Sequence, residues 1–95
     1  MTNCYAFVVG GMPNPLLHPR RAKQAEKYLK SEIEGLVGVH MYDKHHTFLV
    51  FGSLNDAKRA RNRIIATGNA AGRAIMEAEL SEDGALLVVG KEAAG

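Results

Sequence analysis

Two stretches with apolar residues at helical spacing, each flanked by short runs of β-branched and aromatic residues, constrain this chain more than any other feature. In the first, Ala22, Ala25, Leu29, Ile33 and Leu36 recur at steps of three and four. One stripe of a helix from about Pro19 to Glu34 therefore faces a core, while Arg21, Lys23, Lys27 and Lys30 face water. Pro19 suits a first helical turn, where its missing N–H would have no partner, and Gly35 supplies a stop. In the second, Ser53-Leu-Asn-Asp56 has the Ser-x-x-acid form that opens helices, and Ala57, Ala60, Ile64 and Ile65 make the apolar stripe. Lys58, Arg59 and Arg63 fall on its solvent side, Arg61 lies at the stripe's edge, and Thr67-Gly68-Asn69 ends it.

Around these helices the runs Cys4 to Val9, Val37 to Tyr42, His46 to Phe51, Ala74 to Leu80 and Leu86 to Val89 read as strands. Asp43-Lys44 divides the second from the third and predicts a hairpin with an even-length loop. That register pairs Met41 with His46 and Val39 with Phe48, so these four share one face, while His40, Thr47, Leu49 and Phe51 share the other. Asp83-Gly84 predicts a second tight turn, and Glu92 to Gly95 reads as a frayed tail. The order β-α-β-β-α-β-β implies an α+β, ferredoxin-like arrangement: an antiparallel sheet with both helices on one face and an added C-terminal strand. One face of the sheet is then left open.

The chain's 95 residues are enough for one core and not for two, so residues 1–95 are expected to form a single domain. No apolar run reaches the roughly 18 residues a membrane helix requires, and the N-terminus lacks the features of a signal peptide, so a cytoplasmic protein is expected. One cysteine, Cys4, makes no internal disulfide and fits a reducing compartment.

The net charge of +2 conceals a division. Residues 1–73 hold eleven Lys and Arg against five acids, a balance of +6, whereas residues 74–95 hold one Lys against five acids, a balance of −4. If Ala74, Met76, Ala78 and Leu80 point to the core, Ile75, Glu77 and Glu79 point to the open face and repel phosphate there.

Lys44-His45-His46-Thr47-Phe48-Leu49-Val50-Phe51 resembles the third-strand motif of the RNA recognition motif family, basic-Gly-aromatic-Gly-aromatic-Val-x-aromatic. Phe51-Gly-Ser-Leu-Asn-Asp-Ala-Lys-Arg-Ala and Gly72-Arg73-Ala-Ile75 are similar to that family's second helix and fourth strand. Phe7-Val8-Val9-Gly10-Gly11-Met12-Pro13 is like its first-strand motif, with Val8 where the stacking aromatic belongs. The resemblance spans residues 5–80. It implies single-stranded RNA or DNA on the open sheet face, with Phe48 and His46 as platform residues. Lys58, Arg59 and Arg63 are the candidate phosphate contacts, but as helix residues they lie on the far side of the sheet.

The remaining signals are local. His40, Asp43, His45 and His46 are metal-ligating residue types, yet the expected register separates His46 from His40 and His45, and solvated hairpin histidines are the simpler reading. Gly10-Gly11 through Pro19-Arg20-Arg21 leads into a helix N-terminus but matches no phosphate-binding fingerprint. Cys4 opens a buried strand and reads as a core residue. Neither a cofactor nor a small-molecule substrate is indicated. The sequence therefore points to a non-catalytic interaction module that meets a second copy or a partner protein through Val39, Met41, His46, Phe48 and Val50, with nucleic-acid binding on that face as the alternative.

Overall fold

The computed structural model describes residues 2–10, 16–66 and 74–94. Its elements run β1 (Thr2–Gly10), α1 (Pro19–Glu32), β2 (Leu36–Met41), β3 (His46–Phe51), α2 (Leu54–Ala66), β4 (Ile75–Leu80) and β5 (Leu86–Ala94). The strands form one antiparallel sheet in the order β2-β3-β1-β4-β5. Among the described residues, no helix is long and apolar enough to cross a membrane.

Both helices pack on one side of this α+β sheet through their apolar stripes, with Tyr28 of α1 and Ile65 of α2, the latter expected in the stripe, left exposed. Ala57 and Ala60 of α2 are buried with Phe7, Leu49, Phe51 and Ile75, and Leu29 of α1 and Leu54 and Ile64 of α2 pack around that cluster. Phe7 and Phe51 stack at its centre with ring centroids 5.6 Å apart. Ser53 caps α2 as its sequence predicts, its Oγ accepting from the Asp56 amide at 3.1 Å. Helix α1 has no fully buried residue, Ala22, Ala25 and Leu29 being half-buried. After it, Gly35 turns the chain at φ +85°, where a side chain would be strained and a Cβ would also strike the Asp56 carboxylate.

The β2–β3 register differs from the expected one by a single residue. Met41 lies opposite Thr47, His40 opposite Phe48 and Val39 opposite Leu49, which leaves an odd loop of Asp43, Lys44 and His45 between Tyr42 and His46. Asp43 makes that loop: its Oδ1 accepts from the His45 amide at 2.8 Å and lies 2.8 Å from the His46 ring Nδ1. An Asp side chain folded back on its own backbone substitutes for the glycine that a two-residue turn would require. Because side chains alternate, one residue of slip exchanges faces. Val39 and Met41 therefore do not lie with Phe48; Val39 packs on the helix side against the main cluster.

Strand β4 is also inverted relative to expectation. Ile75 is fully buried in the helix-side cluster, and Glu77 and Glu79, opposite Tyr5 and Asn3, are on that same side. Ala78 and Leu80 belong to a second cluster on the opposite side. The expected placement of two carboxylates on the open face is thus overturned. Strand β5 continues to Ala94 rather than ending at Val89, with the backbone of Glu92 opposite Met76 and that of Ala94 opposite Ile75. The register shift in this stretch accompanies Gly90 at φ +75°, the conformation of a glycine bulge. The Thr67-Gly68-Asn69 stop and the Gly11 to Pro15 part of the anion loop lie outside the described residues.

Candidate interaction face

Among the described residues, the sheet side facing away from the helices carries a cluster built from strand residues alone. Cys4, Ala6, Val50 and Ala78 form its buried floor, and Phe48, Leu80, Leu86 and Val88 are partly buried around them. Small residues reach such burial without a covering layer only when taller neighbours shadow them. Tyr42, which leaves β2, and Val88 on β5 line one hollow of about 510 Å³ together with Val8, Phe48, Ala74 and Met76. Because the Tyr42 ring reaches over Phe48 on β3, that hollow forms a trough across β1, β3, β4 and β5.

Aromatic rings make one wall. Tyr42 sits edge-on to Phe48 with centroids 5.2 Å apart and edge-on to His46 at 6.4 Å. The contact of His46 Nδ1 with Asp43 fixes that ring at the trough's end. The His45 amide and the His46 ring hold the Asp43 carboxyl below the usual carboxylate range.

Of the five residues expected on this face, the structure brings together His46, Phe48 and Val50. Val50 is fully buried in the floor, so Phe48 and His46 alone meet solvent. Val39 lies on the helix side, as does the pairing partner of Thr47, Met41, which is 43% exposed. Sequence reasoning missed Tyr42, Val8, Met76, Leu80, Leu86 and Val88. The signal for the last two was present: Leu86-Leu-Val-Val89 is apolar at every position, so whichever phase the strand adopts, it delivers two apolar side chains to this side.

Lys58, Arg59 and Arg63 lie on the exposed surface of α2, in the layer across the sheet from the trough. Arg59 is already engaged, 3.2 Å from Glu34 and 3.5 Å from Asp56. His40 falls opposite Phe48 rather than opposed to His46, but among the described residues no three His, Cys, Asp or Glu side chains gather as a metal site would require. Burial holds the His40 ring below its ordinary pKa, with Glu26 opposing and Lys30 reinforcing the shift. Burial first, and the Glu79 charge second, push the Cys4 thiol up, which suppresses the thiolate. Comparison with family models, curated proteins and solved structures gives no match to this chain.

Proposed function

We propose that this protein is a ferredoxin-like, non-catalytic interaction module that self-associates through the trough side of its sheet. The observation that carries the reading is the apolar cluster on that side across β1, β3, β4 and β5, which excludes Glu77 and Glu79 and has Glu92, opposite Met76, at its margin. Soluble monomers rarely leave such a surface open. A two-fold interface must be complementary to itself, and a face bearing both an aromatic wall (Tyr42 and Phe48) and a hollow satisfies that demand: each copy's wall enters the other's hollow. The molecule's longer dimensions, 34 and 31 Å, bound a face large enough for the roughly 800 Å² per partner of a standard interface. The buried Cys4 and the largely apolar lining of the hollow among the described residues favour binding over chemistry, and a buried thiol suits a reducing cytoplasm.

Light scattering tests this. Phe48→Glu places a charge on the aromatic wall and is expected to lower the solution mass of a still-folded protein; an unchanged mass refutes self-association through this face.

Single-stranded nucleic acid is the second reading, favoured by one observation: Tyr42, His46 and Phe48 place three rings on one face, as the resemblance to RNA recognition motifs implies. Against it stands the location of Lys58, Arg59 and Arg63 behind the sheet. It predicts a salt-sensitive shift of an oligonucleotide that Phe48→Ala abolishes at constant charge.

A further inference from the structure

Strand β5 is an edge strand with the sequence of a central one. Leu86-Leu87-Val88-Val89 has no polar position, a pattern that belongs to strands covered on both faces. Leu86 and Val88 contribute to the trough cluster. Leu87 and Val89 point to the helix side beyond the reach of the main cluster and are 54% and 49% exposed. Beside them the outer backbone of β5 has no neighbouring strand among the described residues.

The opposite edge is protected. Strand β2 carries a bulge between Leu36 and Gly38, and α1 packs along it. Bulges, charges and covering helices are the usual defences of an edge. On β5 the bulge and the first charges, at Gly90, Lys91 and Glu92, come only after the apolar run has ended.

We propose that β5 pairs antiparallel with β5 of a second copy, joining two sheets into one of ten strands. A strand is the one occupant that answers the bare backbone and the Leu87 and Val89 side chains at once. Charge selects a second copy in antiparallel orientation. Lys91, whose Nζ is 4.0 Å from Glu77, lies on the same side as Leu87 and Val89, whereas Glu92 is opposite Met76 on the trough side. At the other end of the run stand Glu82 and Asp83. A two-fold axis near Leu87 and Val88 sets each copy's Lys91 beside the other's Glu82–Asp83 turn, at both ends of the contact. A parallel pairing would align like with like. The trough is not used, so this contact is separate from the one proposed above.

The two are distinguished in the Phe48→Glu background, where the trough contact is removed. Light scattering at up to roughly 1 mM covers the range in which small interfaces associate. The expected result is a folded dimer for Phe48→Glu and a folded monomer for Phe48→Glu with Val89→Lys; Leu87→Lys, also at an exposed position, serves if Val89→Lys loses its far-UV circular dichroism. Amide exchange in Leu86 to Gly90 should slow with rising concentration in the first protein and not in the second. Lys91→Glu is expected to weaken the dimer at least tenfold, and adding Glu82→Lys to restore it. A monomeric Phe48→Glu protein, or a dimer that survives lysine at both positions, overturns the proposal, and Lys91→Glu without effect overturns the antiparallel orientation.

Discussion

Val39→Ala separates the observed hairpin register from its neighbour. In the structure Val39 lies opposite Leu49 and packs against the helix-side cluster that holds Leu36, Leu49 and Phe51. Truncation removes two methyl groups at about 0.8 kcal/mol each, reduced because Val39 is only partly buried and increased by the gap left behind, for a net loss of roughly 1–2 kcal/mol. For a chain of 95 residues whose total stability is on the order of 5–14 kcal/mol, that is a readable fraction. Urea unfolding should show a midpoint lower by roughly 0.5–1 M at unchanged slope, and heating a midpoint lower by roughly 5–15 °C. The solution mass should not change. If stability is preserved within about 0.5 kcal/mol and the oligomer dissociates instead, Val39 lies on the trough side and the odd-length loop is wrong.

Phe7→Ala empties half of the Phe7–Phe51 stack and should cost about 3–5 kcal/mol by denaturant unfolding, enough to leave the domain near its limit. Ser53→Ala removes the cap of α2 and should cost about 1 kcal/mol, with Ser53→Asp neutral within a few tenths. Because burial depresses the His40 pKa, the folded state resists protonation there: that contribution is complete above the ordinary value of 6.5 and is lost as pH falls through the lower folded value, so His40→Gln should flatten the decline in stability below pH 6.5. Asp43 follows the same sign at lower pH. Its depressed pKa means that loop order persists above the ordinary carboxylate value of 3.8 and is lost as acid protonates it, which the chemical shift of the His45 amide reports.

Element types were legible because each helix repeats its apolar residues at three and four and each strand is bounded by turn residues. Ser53 and Pro19 marked helix starts that the structure places within a residue. What sequence could not assign is which apolar set meets the helices. This sheet is apolar on both sides, so the grouping of Met76, Ala78 and Leu80 against Ile75, Glu77 and Glu79 was readable while the identity of each side was not. Isoleucine at one end of β4 and two glutamates further along share a side because the helices cover Ile75 and stop short of Glu77 and Glu79. The hairpin parity was hidden in a single side chain. Asp43 bonding to His45 and His46 makes the loop odd, and no count of residues between two strands contains that information. Tyr42, read as the last residue of a strand, instead leaves it and becomes a wall of the hollow.

The position of β1 in the sheet has a kinetic meaning. The strand lies between β3 and β4, with Tyr5 opposite both Phe51 and Glu77. Its partners are therefore dozens of residues downstream, and closing such loops comes before the contacts that reward it. As the chain is synthesised, β1 is made before either partner and stays bare on both edges until β3 has been made, and bare on one edge until Leu80 has followed. Its Phe-Val-Val segment is exposed to other nascent chains throughout that interval. Folding should accordingly be limited by the arrival of β4, and a refolding rate in the millisecond-to-second range, rather than the microseconds of a helical bundle, is the expected signature.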